Sequence, residues 1–161
     1  MCYRMSAHII SLPRRRLGST LECQPSMVQL ISNAPFLDRV YDEAMALLIE
    51  TRNYIAYQER RDADALAPDI RLIISQETLR MTSRLTQSMA WLLAQKAVQT
   101  GEIGARDALV QEAAVDGEAV CLDDTYTDDV RLPDAVRNLL ARTRSLYVRV
   151  HRLDQMMRDA A

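Results

Sequence analysis

Two carboxylates, Glu43 and Glu50, sit seven residues apart in the apolar run "EAMALLIETRNYI". Successive helical residues advance about 100°, so this spacing returns both to one face of a helix. A carboxylate pair so placed could hold a metal ion or relay a proton. Helical bundles that bind paired metals, however, take their ligands from Glu-x-x-His sets on facing helices. The sequence has two histidines: His8, near the start, and His151, which Val148 precedes by three residues. Neither belongs to such a set, and no metal is expected. Glu43 and Glu50 project roughly 80–100° from the centre of their helix's apolar stripe. There they meet water or pair with arginine.

The remaining reactive types point the same way. Cys2, Cys23 and Cys121 are scattered and odd in number, with no C-x-x-C. That pattern suits neither a disulfide framework nor a structural zinc site. Cys121 lies in an acidic stretch, where a thiolate is disfavoured and nucleophilicity is poor. There is no glycine-rich phosphate loop and no G-x-S-x-G elbow. No catalytic or cofactor-binding residue stands out, and the chain is expected not to be an enzyme.

A chain of 161 residues can bury one substantial core. Its formal net charge of −2 argues against a nucleic-acid partner. No apolar run approaches the roughly 20 residues of a membrane span, so no membrane insertion is expected. Residues 1–34 read as a disordered or mis-started leader, with "PRRR" after the short apolar stretch rather than before it. Residues 35–159 read as one domain.

Three long helices are expected to make up that domain. The first runs from Pro35 to Arg61, with proline in its first turn. The second runs from Pro68 to Thr100 and stops at Gly101. The third begins at Pro133 and continues to about Asp159. The economical fold is all-α: an antiparallel three-helix bundle with the second helix in the middle. Between the second and third helices lies a long connection, Gly101 to Leu132, with nine acidic and two basic residues. Connections of that length in compact domains are usually functional or disordered.

Helical projection leaves three features beyond the core stripes. Met45, Ile49 and Ala56 fall opposite the core face of the first helix, as scattered surface residues or as a dimer or partner face. Arg137, Arg144, His151 and Arg158 recur every seven residues on the third helix. That stripe is either a solvated edge answering acidic neighbours or a docking strip for an acidic protein. Asp154 falls within the apolar stripe of the same helix, where a carboxylate needs a partner. Arg84 is the expected one, as a structural ion pair, with Arg80 as the alternative.

Three segments carry a resemblance: "PFLDRVYDEAMALLIETRNYI", "QETLRMTSRLTQSMAWLLAQKAVQTGE" and "RVHRLDQM". Together they resemble the alphaproteobacterial regulator of CtrA degradation (RcdA) family, over roughly Pro35 to Met157. The second segment is the most specific, through Glu77, Arg80, Thr82, Arg84, Leu85, Trp91 and the closing Gly101-Glu102. The resemblance implies a cytoplasmic, homodimeric, non-catalytic helical protein. It implies an adaptor for the ClpXP protease, working with a CpdR-like receiver protein on CtrA-like cargo in cell-cycle control. A helical scaffold unconnected with proteolysis is the alternative. In one departure from the family pattern, Ala34 stands where a capping serine is expected, with Asn33 as the substitute cap.

Overall fold

Proline and glycine punctuate the chain where the sequence places them. The computed structural model describes residues 34–104, 108, 115 and 117–159. Asn33 and the leader lie outside the described residues. Five helices are present among them: α1 (Ala34–Tyr57), α2 (Glu59–Asp64), α3 (Pro68–Gln99), α4 (Glu118–Cys121) and α5 (Asp134–Asp159). Pro68 opens α3, where a missing N–H costs nothing. Gly101, at φ 75°, closes α3. Its N–H donates to Val98 O at 3.1 Å, and that of Glu102 to Ala97 O at 2.9 Å. This pair of bonds satisfies carbonyls that the helix end would otherwise orphan. The expected single helix to Arg61 instead breaks after Tyr57. Gln58 keeps a near-helical backbone, φ −113° and ψ −40°, so the chain kinks rather than turns back. The Tyr54 hydroxyl bridges the kink, donating to Asp62 Oδ2 at 3.1 Å.

Contacts between the long helices fix their directions and correct the expected antiparallel arrangement. Asp38 of α1 meets Lys96 of α3, and Tyr54 packs beside Ile70 and Ile74. These two helices are antiparallel. Glu50 meets Arg142 and Glu43 meets Arg149, so α1 also opposes α5. Along α3 and α5, however, the numbers rise together. Arg84 reaches Leu140 O, and Trp91 reaches Asp154. The two helices run parallel, and a parallel pair cannot be joined by a short turn. The 32 residues of α3 span about 48 Å at 1.5 Å per residue, and the chain must travel back over that length. The long connection is therefore a crossover imposed by the topology.

Two clusters form the core. Around one end, Leu37, Val40, Ala44 and Leu47 of α1 meet Leu85, Met89 and Leu92 of α3 and Leu146, Tyr147 and Val150 of α5. Around the other, Tyr54, Ile70, Ile74 and Met81 meet Leu132, Val136, Leu139 and Leu140. Each fully buried aliphatic side chain contributes about 1.5–3 kcal/mol relative to leaving it in water. On α5 the buried stripe is Val136, Leu139, Leu140, Leu146, Tyr147 and Val150. The apolar residues of α3 are not all buried. Leu72 and Leu79 are each 71% exposed, whereas Glu77, Arg80 and Arg84 of the same helix are inside.

Candidate functional site: the three grooves between the long helices

Three long helices in mutual contact leave three grooves, and the side chains treat each differently. Charge closes the groove between α1 and α5. Arg142 lies 2.8 Å from Glu50, and Arg149 lies 2.5 Å from Glu43. The carboxylate pair in "EAMALLIETRNYI" thus faces two arginines of a neighbouring helix. All four side chains are about half exposed, so each pair contributes well under about 1 kcal/mol. Beside them lies a cleft of mixed polarity, about 520 Å³, lined by Asn53, Tyr54, Tyr57, Gln58, Asn138 and Leu139 among others.

The crossover fills the groove between α3 and α5. Arg84, fully buried, is the centre of this contact. Its Nε donates to Cys121 O at 2.8 Å and its Nη2 to Asp123 O at 2.5 Å. Its Nη1 donates to Leu140 O at 3.2 Å. A planar guanidinium with five donors suits three carbonyls converging from two segments. Burial lowers its pKa to about 10, against the opposing pull of Glu77. Beside it, Arg80 pairs with Glu77 and reaches Asp123 Oδ2 at 2.7 Å. From α5, Arg144 donates to Leu122 O at 3.2 Å and lies 3.0 Å from Asp124. His151 stacks on Tyr147 with ring centroids 5.9 Å apart, and its Nε2 lies 3.2 Å from Glu118.

Asp154 does not pair with Arg84. It sits further along the same groove, where Trp91 Nε1 donates to its Oδ1 at 2.9 Å. Its Oδ2 accepts from Val115 N at 3.3 Å and from Arg158 Nε at 2.9 Å. The expected ion pair is therefore corrected. Both groups are buried, but the parallel run of α3 and α5 sets Asp154 level with Trp91, and Arg84 is drawn to the crossover carbonyls. The seven-residue stripe divides likewise. Arg144 and His151 face the chain's own acidic crossover, Arg158 reaches Asp154, and Arg137 pairs with Asp134 in the first turn of α5.

The third groove, between α1 and α3, is open and apolar. It holds about 420 Å³, lined by Leu48, Thr51, Arg52, Ile55, Ala56, Thr82, Leu85 and Thr86. Met45 is partly buried against the core, and Ile49 is 49% exposed. The structure thus places Ala56 in the groove lining, and Met45 and Ile49 on the same helix outside that lining. Elsewhere along the α1–α3 contact, Lys96 bonds Asp38 at 2.6 Å and lies 4.6 Å from the centre of the Tyr41 ring. That bond to Asp38 raises the pKa of Lys96. The Thr51 hydroxyl, on the groove lining, is buried without a hydrogen-bond partner.

Beside the groove, α3 presents its exposed face. From Leu72 to Leu93 the exposed residues are Leu72, Ser75, Gln76, Leu79, Thr82, Ser83, Thr86, Ala90 and Leu93. None is charged. Three of them are leucines, set among uncharged polar and small residues.

With this geometry in hand, comparison with known proteins is direct. A family model described as a protein of unknown function, DUF1465, matches residues 29–161. The chain belongs to the DUF1465 family. This DUF1465 chain is also similar to RcdA from Caulobacter crescentus CB15, whose crystal structure gives a TM-score of 0.61 at 35% identity. The match covers 75% of the DUF1465 chain and 89% of the RcdA chain. The DUF1465 chain is RcdA-like in sequence and in fold. No curated protein matches it.

Sequence reasoning missed the clasp on the crossover in this DUF1465 protein. The signal was present: three charged residues, Glu77, Arg80 and Arg84, at helical spacing on α3. Arg84, with Arg80 as the alternative, is instead expected to meet Asp154, because the crossover's path is not readable from periodicity. Among the described residues no group of three or more His, Cys, Asp or Glu side chains could hold a metal ion. Nor is any helix among them long and apolar enough to cross a membrane.

Proposed function

We propose that this protein is a non-catalytic adaptor that helps deliver CtrA-like transcription regulators to the ClpXP protease in the cytoplasm. In this reading it acts as a homodimer, alongside a CpdR-like receiver protein, in cell-cycle control. The observation that carries the reading is the likeness to RcdA over 89% of that chain at 35% identity. The open α1/α3 groove supports it physically. Of the three grooves, one is bridged by ion pairs beside a cleft of mixed polarity, and one is filled by the crossover. The third offers apolar surface with no partner among the described residues. Such a surface works by contact with other proteins.

The test is affinity capture of the tagged protein from an alphaproteobacterial extract at native abundance. Recovery of ClpX, a receiver protein and unstable regulators supports the reading. Substituting Ala56 by Glu should then reduce that recovery while leaving the helical spectrum unchanged. Capture of none of these proteins would favour a helical scaffold unconnected with proteolysis.

A further inference from the structure

The α1–α3 pair has two sides, and the chain fills one of them. There α5 enters, its Leu146 and Val150 meeting Leu47 of α1 and Leu92 of α3. The other side is the open groove, whose lining comes from α1 and α3 alone. Along α1 that lining runs from Leu48 to Ala56, about 12 Å at 1.5 Å per residue. Leu48, Arg52, Ile55 and Ala56 fall at the i, i+4, i+7 and i+8 spacing that meets a neighbouring helix. Across from them, Thr82 and Thr86 are short enough to let a helix backbone come close. One charge stands in this lining. Arg52 is exposed, and no carboxylate engages its guanidinium among the described residues.

We infer that this groove receives an amphipathic helix of a partner protein, packed as a fourth member of the bundle, with an Asp or Glu of that helix paired to Arg52. Two packed helices present ridges and grooves to a further helix on either side. Recognition of this kind reads apolar anchors at i, i+3 or i+4, and i+7. Arg52 adds a rule of charge: an acidic residue at that point gains a partner, and a basic one is repelled. The chain does not supply this ligand from its own surface. The exposed residues of α3 from Leu72 to Leu93 include no carboxylate, so a second copy docking that face would leave Arg52 unanswered. The inference rests on reading the open groove as a protein-binding surface, and it supplies the chemistry of the partner.

The test uses the full chain as bait. The probe is a phage-displayed library of helical peptides of about 18 residues, long enough for several turns, with leucine fixed at i, i+4 and i+7 and the flanking positions randomised. The parent chain should enrich peptides with Asp or Glu at one flank. Arg52→Glu should enrich Lys or Arg at that flank instead, and should bind the parent's best peptide roughly tenfold more weakly. Ala56→Glu, in the groove lining, should lose that peptide altogether. Both positions are exposed, so the helical spectrum should not change. A parent chain that enriches nothing, or an acidic preference that survives Arg52→Glu, would overturn the inference. So would a change in the chain's own mass by light scattering in Ala56→Glu, which assigns the groove to a second copy. Peptides of the expected charge with no ClpX captured from the extract would sink the adaptor reading and leave this one standing. ClpX captured equally by the parent and by Ala56→Glu, with no peptide enriched, would do the reverse.

Discussion

Arg84 is the residue on which the crossover depends, and its replacement has a calculable consequence. The guanidinium is fully buried and donates to Cys121 O, Asp123 O and Leu140 O. In Arg84→Ala the two crossover carbonyls lose their donor inside the groove. Leaving a buried acceptor unpaired costs about 1–3 kcal/mol, so the two together cost about 2–6 kcal/mol. That agrees with the roughly 3–5 kcal/mol typical of removing one partner of a buried charged contact. For a domain of this size the melting temperature should fall by about 10–20 °C. Arg84→Met should be milder. It keeps the packing of the stem and removes a buried charge whose pKa, lowered to about 10, shows that burial opposes it. Arg84→Lys should resemble alanine, because one ammonium cannot bridge three carbonyls. Thermal unfolding measures the size of the effect, and amide exchange at Cys121 and Leu122 locates it. Those amides donate to Gly117 O and Glu118 O and should exchange faster once the clasp is gone. An alanine variant within about 1 kcal/mol of the parent, below what one lost buried hydrogen bond costs, would refute the clasp. A lysine variant as stable as arginine would refute the role of the fork.

Three further predictions follow the same geometry. Asp154→Asn puts an amide donor among the Trp91, Val115 and Arg158 donors. It should cost about 1–3 kcal/mol and alter the fluorescence of Trp91, the single tryptophan; an unchanged emission spectrum counts against this contact. Glu43→Gln with Glu50→Gln removes both α1–α5 ion pairs but should cost less than about 1 kcal/mol for each pair, a difference that urea titration should see shrink in high salt. Asp123 has its pKa lowered from 3.8, first by the Thr125 hydroxyl and backbone and then by Arg80. A carboxylate with a lowered folded pKa adds stability that is full above its unfolded value and is lost as pH falls through the folded one. Crossover amides should therefore exchange faster as pH drops below about 4 relative to the rest of the chain, and Asp123→Asn should flatten that dependence.

How much of this was readable beforehand depends on which interactions set each feature. The stripe on α5 was legible because Val136, Leu139, Leu140, Leu146, Tyr147 and Val150 all face one core, so burial and period agree. The ends of α3 were legible because Pro68 and Gly101 act on their own backbone. The break after Tyr57 was not, because no proline or glycine marks it. Direction was not legible either. Periodicity says which face is buried and nothing about which way a neighbour runs. Only the length of the Gly101–Leu132 connection hinted that α3 and α5 are parallel, and length alone fits an ordered crossover and a loose loop equally. The candidate surface was half legible. Met45, Ile49 and Ala56 were set apart by angle on α1, but their counterpart on α3 was hidden.

That hidden half carries the stronger argument. A surface helix normally buries its leucines and shows its charges. Between Leu72 and Leu93, α3 departs from this in part: Glu77, Arg80 and Arg84 are inside beside Ile74, Met81, Leu85, Met89 and Leu92, while Leu72, Leu79 and Leu93 are outside. The inner charges have a cause in the topology. A parallel α3–α5 pair demands a returning crossover, and a crossover brings backbone carbonyls that need donors in the interior. Arginine on α3 supplies them at Cys121 and Asp123. Turning that face inward fixes the rotation of the helix, and the opposite side must then face out. Had its outward residues been selected only for solubility, they would be charged. They are leucine, serine, threonine, glutamine and alanine, none of which holds the crossover, and the leucines do not favour water. One rotation thus satisfies the crossover and, on the far side, presents an uncharged surface that only contact with another protein would cover.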